Sequence, residues 1–247
     1  MIELIFGLGI LLGLVLSIHG IAVLVANRNN LMGFVGLFID KYHLKVIAVF
    51  LMLVFVLFAG LTWLNVKWNL ISIERAFDLT ALLKTVPSEL SAVIFEELVF
   101  RVFIFSSLLY FTEKKAAALV LTSILFSFAH FPENTLEVIS YFLGGIMYGY
   151  AFLKFQTVWV PIAIHFFWNF IQGPVLGFPV SGMEQEGLLK LEIVPNMFFN
   201  GGDQGPEGSV FGILLRLVII LMSYLIPRVS ENQGFLKFKE NPFKRTI

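Results

Sequence analysis

Three charged residues interrupt an otherwise apolar stretch of the chain, residues 87–111. They are Glu96, Glu97 and Arg101. A charge at the centre of a lipid-exposed helix costs at least ~2.5–3.5 kcal/mol, so three together predict a partnered or functional interior. Glu97 and Arg101 are four residues apart, share a helical face and can form an ion pair. Glu96 is rotated by about 100° from Glu97 around the helix axis and therefore needs another partner.

Two later apolar segments supply groups that could partner Glu96. The first ends at His130, and the second carries His165 and Asn169 one helical turn apart. Side chains of these types could carry out a hydrolysis, which in a protein without cysteine needs an activated water molecule and hydrogen-bond donors for the oxyanion. A buried carboxylate is a suitable general base, and an imidazole can share its water. His165 and Asn169 can donate toward one point. Because each charge or imidazole needs a partner in a low-dielectric interior, we expect Glu96, His130 and His165 to meet in the folded chain.

The composition predicts a polytopic membrane protein. The 247 residues are 58% hydrophobic and 14% charged, with a mean hydropathy of +0.87, far above that of a soluble domain. The formal net charge of zero argues against a nucleic-acid partner, and the lipid bilayer is the expected environment. Because the sequence has no cysteine, disulfides, thiol nucleophiles and cysteine-based metal sites are excluded.

The hydropathy pattern predicts an all-α bundle of about seven to eight transmembrane helices. Residues 67–86 mix charged and apolar positions, which predicts an amphipathic helix that lies on the membrane or enters it as a shallow re-entrant helix. Residues 179–208 are polar and glycine-rich and are predicted to form a loop. Gly145 and Gly149 form a small-residue face that permits close helix contact. The clearest predicted spans are residues 3–26, 45–66, 87–111, 116–131, 135–153, 158–178 and 209–226.

Three regions are predicted along the chain. N-terminal helices and the amphipathic segment occupy residues 1–84, and a catalytic helical core occupies residues 85–226. A basic cytoplasmic tail occupies residues 227–247. The loops richest in Lys and Arg predict that the N-terminus lies outside and the C-terminus in the cytoplasm.

The pattern of charged and polar residues resembles the three motifs of the CPBP family. These are the CAAX-protease and bacteriocin-processing (ABI) membrane proteases, which include the Rce1-type prenyl-protein endopeptidases. The resemblance covers roughly residues 85–225 and follows the family's motif order on successive apolar segments. The motifs are Glu96-Glu97-x-x-x-Arg101, Phe126-x-x-x-His130 and His165-x-x-x-Asn169.

The resemblance implies an intramembrane glutamate endopeptidase that uses no metal and no other cofactor. Glu96 and His130 would activate the water, and His165 and Asn169 would hold the oxyanion. The implied supporting residues are Glu97 and Arg101. The implied substrate is a prenylated or membrane-associated peptide or protein, and the expected location is a prokaryotic cell membrane crossed several times by the chain.

Three other interpretations of the same residues stay open. Glu96, His130 and His165 could form a metal site with two imidazoles, one carboxylate and an open position, although the chain has no HExxH helix. A proton-coupled transporter could use the same groups as a relay, although no inverted repeat is visible. A catalytically silent protein of the same family could bind and regulate a partner, although a binder has no need for the complete motif set.

Overall fold

The described part of the chain is a bundle of α-helices with one small sheet. The computed structural model describes residues 2–75, 79–185, 187–227 and 234–238, without the side chains of residues 2–6, 75 and 81. The predicted all-α membrane fold is confirmed. The helices are α1 (Ile2–Ala26), α2 (Leu31–Val35), α3 (Lys41–Lys67), α4 (Leu79–Glu97), α5 (Phe105–Thr112), α6 (Lys115–Ala129), α7 (Thr135–Phe155), α8 (Trp159–Phe170) and α9 (Val210–Leu225).

Length and apolarity show which helices suit a bilayer. Over the described ranges, three helices are long and apolar enough to cross a membrane, within Gly7–Ala26, Lys41–Lys67 and Thr135–Phe155. Two more, Lys115–Ala129 and Val210–Leu225, are apolar but shorter. The predicted number of crossings and the orientation stay predictions.

Helix α3 illustrates how the sequence directs one helical face to the core. Val46, Phe50, Val54 and Phe58 recur at every fourth position and are all buried, which is the spacing of an apolar stripe. The stripe packs on α8, where the rings of Phe58 and Trp168 meet edge to face, with centroids 4.9 Å apart. The inward face of α3 thus fixes the position of α8.

Asp40 caps the start of α3. Its carboxylate accepts the backbone N–H of His43 at 3.0 Å, and the His43 ring is 3.3 Å from the Asp40 backbone N–H, which completes a capping box. The bond from the His43 backbone holds the pKa of Asp40 below its ordinary value.

Helix α4 begins earlier than predicted. The predicted span starts at residue 87, whereas the helix starts at Leu79 and continues through Pro87. Proline removes one backbone donor from a helix. The hydroxyls of Thr85 and Ser88 donate to the carbonyls of Leu82 and Thr85, each at 2.8 Å, and so occupy acceptors in the turn around the proline.

The predicted amphipathic helix at residues 67–86 is wrong over residues 71–75, residues 76–78 lie outside the described ranges, and residues 79–86 are the first part of α4. Residues Ile71–Arg75 form strand β1, which pairs antiparallel with strand β2 at Leu189–Ile193, inside the predicted loop. Ile71 lies opposite Ile193, and Ile71 is buried. The sequence ISIER alternates a β-branched residue with a polar or charged one, which fits a strand once a partner is present. The partner comes from the far end of the chain, so no local pattern reveals it.

The described part of the predicted basic tail packs against the bundle. The Leu236 N–H donates to the Phe34 carbonyl at 3.1 Å, and Phe235 packs edge-on against Phe152. The other residues of the tail after Pro227 lie outside the described ranges.

The glycines of α7 allow α6 to approach closely, as predicted. A Cβ atom added to Gly145 would lie 2.7 Å from the Cα atom of Ser123, and one added to Gly149 would lie 2.4 Å from a methyl carbon of Leu119. The first contact is with backbone, which cannot move aside as a side chain can. Small residues at this interface therefore bring α6, and the histidine at its end, close to α7.

We expect Gly145→Ala to destabilise the protein by about 1–3 kcal/mol, because the new methyl group overpacks the contact with α6. The matched control is Gly60→Ala on α3, where an added Cβ atom meets nothing within 4 Å. Alanine favours a helix over glycine by up to about 1 kcal/mol, so the control should be neutral or slightly stabilising. Thermal unfolding of the purified proteins in detergent measures both. A Gly145→Ala protein as stable as the Gly60→Ala protein would contradict the close contact.

Candidate active site

The structure brings the predicted pair of histidines to one carboxylate oxygen. Glu96 lies near the end of α4, His130 follows the last residue of α6, and His165 lies on α8. Oε2 of Glu96 is 3.8 Å from Nε2 of His130 and 4.0 Å from Nε2 of His165. Both separations exceed a direct hydrogen bond, and both are short enough for one water molecule to bridge the two groups.

The end of α6 orients His130. Its Nδ1 atom lies 2.8 Å from the backbone carbonyl oxygen of Phe126. A carbonyl oxygen only accepts, so Nδ1 carries the proton and Nε2 of the neutral ring presents its lone pair toward Glu96. The Phe126 ring is buried, and its centroid lies 4.4 Å from that of the imidazole. The backbone of Phe126 therefore sets the tautomer, and its side chain packs on the ring.

Glu97 holds His165 as well as Arg101. Its Oε1 atom is 2.9 Å from Nδ1 of His165, and its Oε2 atom is 3.0 Å from Nε of Arg101. The Glu97 and Arg101 side chains are fully buried. The ion pair expected from the four-residue spacing is present, and the contact with His165 is an addition that the spacing does not reveal. Glu97 thus orients the His165 imidazole through Nδ1, while Nε2 of the same ring faces Glu96.

The backbone changes from α-helical to π-helical geometry directly after Glu97 and again shortly after Asn169. A π-helical segment, Leu98–Ile104, follows α4 directly and carries Arg101. A second one, Ile171–Val175, follows α8 shortly after Asn169. π-Helical turns are rare and occur preferentially at functional sites.

Asn169 faces the same space as the histidines. It lies one turn after His165 on α8 and lines a cavity of about 460 Å³ that Glu96, His130 and His165 also line. Glu96 is about one-third exposed, whereas Glu97, one residue later, is inaccessible. The rotation between consecutive helical residues therefore gives one carboxylate to the cavity and the other to the protein interior.

Two tyrosines of α7, which belong to none of the three motifs, stack on the histidines. The Tyr141 ring stacks on His130 with centroids 4.6 Å apart, and the Tyr148 ring stacks on His165 at 4.3 Å. Their spacing of seven residues, two helical turns, places them on one face of α7. Stacking holds each imidazole plane, while the bonds at Nδ1 fix its rotation.

A second buried ion pair lies outside the three motifs. Glu207 Oε2 lies 3.5 Å from Nη2 of Arg216, and both side chains are buried and line the cavity. Arg216 interrupts an apolar helix in the same way as Arg101, so the rule applied to residues 87–111 could have found it. Glu89, two turns before Glu96 on α4, also lines the cavity.

A metal centre was one of the open interpretations. Among the residues that the structure describes, no group of three or more His, Asp or Glu side chains is arranged to hold a metal ion.

Residues 78–171 match the family model described as type II CAAX prenyl endopeptidase Rce1-like. No curated protein and no solved structure matches the chain. The matched segment contains every predicted site residue, whereas Glu207 and Arg216 lie beyond it. The predicted resemblance is thereby confirmed over residues 78–171, where the three motifs and the helices that carry them match the Rce1-like model.

Proposed function

We propose that this chain is an intramembrane endopeptidase that hydrolyses a peptide bond with a water molecule activated by Glu96 and His130. The observation that carries the proposal is the 3.8 Å separation between Oε2 of Glu96 and Nε2 of His130 beside a cavity large enough for a peptide segment. Two groups that each bond a water at about 2.8 Å can lie up to about 5.6 Å apart, so these two can share one molecule.

The contact at Nδ1 of His130 supports this assignment. In the neutral ring, Nδ1 donates to the Phe126 carbonyl and Nε2 is an acceptor, as is the carboxylate of Glu96. A water molecule between two acceptors directs one hydrogen to each of them. Its oxygen lone pairs then point away from both groups, toward the substrate that enters the cavity. The pair therefore orients the nucleophile and removes its proton.

The reaction then follows the chemistry of amide hydrolysis. The water oxygen bonds to the substrate carbonyl carbon as its proton passes to the carboxylate of Glu96, and the carbonyl oxygen becomes an oxyanion. When the intermediate collapses, the carbon–nitrogen bond breaks, and the proton held by Glu96 passes to the leaving amine. Glu96 returns to a carboxylate, so one residue acts as base and then as acid.

The oxyanion requires donors on the substrate's other side, and we assign these to Asn169 and His165. The Asn169 side-chain amide can donate in any state of the site. His165 directs Nδ1 at Glu97, so its Nε2 atom carries a hydrogen only when the ring holds both protons. In the singly protonated form, Nε2 of His165 is a further acceptor 4.0 Å from Glu96. Asn169 is therefore the donor on which stabilisation of the oxyanion chiefly depends.

Glu97 and Arg101 take the supporting role in this proposal. Glu97 orients His165, and Arg101 neutralises Glu97 where both are fully buried. The guanidinium also lies 4.9 Å from the centre of the Phe126 ring, so it contacts the residue whose backbone orients His130. One ion pair thus supports both histidines.

The substrate class in this proposal is a prenylated or membrane-associated peptide or protein. The matched family is described as acting on CAAX prenyl substrates, and we extend that class to this chain. We further propose a multi-pass location in a prokaryotic cell membrane, with a mechanism that uses neither a metal nor another cofactor.

The test of the function uses quenched fluorescent peptides anchored in lipid vesicles by a farnesylated cysteine or by an acyl chain. We expect the purified protein to cleave at least one of them, and Glu96→Gln and His130→Ala to abolish cleavage. Asn169→Ala should lower kcat about 10²–10³-fold, the scale for one lost oxyanion donor, with little change in KM. Undiminished cleavage by Glu96→Gln would remove Glu96 as the base, and a wild-type protein that cleaves no anchored peptide would contradict the function.

Removing metal ions with a chelator distinguishes the glutamate mechanism from a mechanism that uses a bound metal ion. We expect activity to survive exhaustive dialysis against a chelator, since the base in this proposal is a carboxylate and not a metal-bound hydroxide. The measurement is the cleavage rate before and after dialysis and after zinc is added back. Activity that is lost on dialysis and restored by zinc would establish the metal site instead.

If Arg101 supports the fold and Glu96 acts in catalysis, replacing Arg101 should reduce the amount of folded protein and replacing Glu96 should not. Arg101→Ala leaves Glu97 buried without a counter-ion and should cost roughly 3–5 kcal/mol. Glu96→Gln keeps the shape of a partly exposed side chain and should leave stability nearly unchanged. The amount of folded protein in the membrane and its thermal unfolding in detergent measure both. Equal losses in the two variants would contradict the division of roles.

A further inference from the structure

One wall of the cavity is a tight turn that lies outside the family match. Val180 and Met183 exchange two backbone hydrogen bonds of 2.9 Å each. The two residues between them have positive φ angles, +49° at Ser181 and +76° at Gly182, as in a type I′ turn. Glycine adopts this backbone conformation readily, and serine rarely does. The turn therefore needs something beyond its own two bonds to hold Ser181 in place.

Glu207 holds that serine. Its Oε1 atom accepts hydrogen bonds from both the backbone N–H and the hydroxyl of Ser181, the second at 2.8 Å. The carboxylate lies in a short 3₁₀ segment, Pro206–Gly208, just before α9, and is almost fully buried. A single carboxylate oxygen thus fixes both the backbone and the side chain of a residue in an unfavourable conformation.

Arg216 in turn holds Glu207. Besides the ion pair with the carboxylate, its Nη1 atom donates to the Glu207 carbonyl at 3.0 Å and to the hydroxyl of Ser140 on α7. The guanidinium lies 4.6 Å from the centre of the Trp168 ring on α8. The arginine therefore anchors the turn to both α7 and α8, the helices that carry the stacking tyrosines and His165.

The turn faces the reacting groups. Val180, Ser181 and Met183 line the same cavity as Glu96 and His130. A peptide long enough to place its scissile bond beside Glu96 must share that cavity with the turn.

We propose that Glu207 and Arg216 are a positioning pair, which holds the Val180–Met183 turn as a substrate-contacting wall of the active site. This inference rests on the proposed function. Neither residue needs to touch the reacting atoms, so the pair should act on substrate binding more than on the chemical step. The family-matched segment carries the catalytic groups, and the chain after it completes the site that receives the substrate.

The first experiment tests the positioning without any substrate. Because the chain has no cysteine, a single Val180→Cys substitution reports on the turn through its rate of labelling by a maleimide. Val180 is only 4% exposed, so labelling should be slow while Glu207 holds the turn. Removing both charges together, as Glu207→Leu with Arg216→Met, avoids an unpaired buried charge. In that background we expect Val180→Cys to be labelled at least about tenfold faster.

The matched control is Val93→Cys on α4, which is fully buried and should stay unreactive with or without the pair. Faster labelling at both positions would mean that the double variant loosens the whole bundle, which overturns the local assignment. Unchanged labelling at Val180→Cys would mean that the pair does not hold the turn, which also overturns it.

The second experiment tests the contact with substrate. With a lipid-anchored quenched peptide that the wild-type protein cleaves, the double variant should raise KM about tenfold and change kcat less than about threefold. Arg216→Lys keeps the charge and should recover part of the loss. Lys154→Met is the control, because Lys154 is another buried cation, on α7, which donates to the Tyr224 carbonyl at 3.0 Å and does not line the cavity.

The outcomes of this experiment are distinct from failure of the proposed function. An unchanged KM in a double variant whose turn is labelled faster would overturn the substrate contact. A loss confined to kcat would instead place the pair in the chemical step. If the wild-type protein cleaves no peptide, the substrate contact is tested by binding alone. The affinity of the same peptides is measured for the Glu96→Gln protein with Glu207 and Arg216 intact and with both replaced. Equal affinities would overturn the substrate contact.

Discussion

A charge placed in a low-dielectric interior must have a partner, and the arrangement of this protein depends on how that requirement is met at Glu97. The carboxylate is fully buried and is shared between the guanidinium of Arg101 and the imidazole of His165. An unpaired charge there would cost several kcal/mol, a large part of the stability of an ordinary domain. The same contacts that pay that cost also aim His165 at the cavity. The Glu97 side chain therefore contributes both to the stability of the interior and to the orientation of His165.

The neighbouring residue, Glu96, has the opposite position. It is partly exposed and faces two imidazole nitrogens at 3.8 and 4.0 Å, and among the described residues these are its contacts within ion-pair distance. A carboxylate in that state keeps its lone pairs available for a proton from water. Two adjacent glutamates of one helix thus have different environments, because consecutive helical residues are rotated by about 100° from each other.

The C-terminal part of the described chain repeats this design. Glu207 and Arg216 form a second buried pair, and it too combines an ion pair with hydrogen bonds to elements that line the cavity. Helix α7 lies between the two networks: its tyrosines stack on the histidines, and its Ser140 hydroxyl contacts Arg216. The glycines of α7 allow α6 to approach α7 closely. The position of His130, at the end of α6, therefore depends on residues that have no functional side chain.

The sequence alone determined the membrane class, the helical fold and four of the residues that line the cavity, Glu96, His130, His165 and Asn169. Hydrophobicity, helical spacing and buried charge are local properties that a pattern records. It also predicted the pairing of Glu97 with Arg101, since a spacing of four residues fixes which side chains share a face. Only the tertiary structure decided which atoms meet. The contact of Glu97 with His165, the tyrosines on the imidazoles and the pairing of β1 with β2 join residues far apart in the chain. Such contacts depend on the packing angles of several helices at once, and no local spacing encodes those angles.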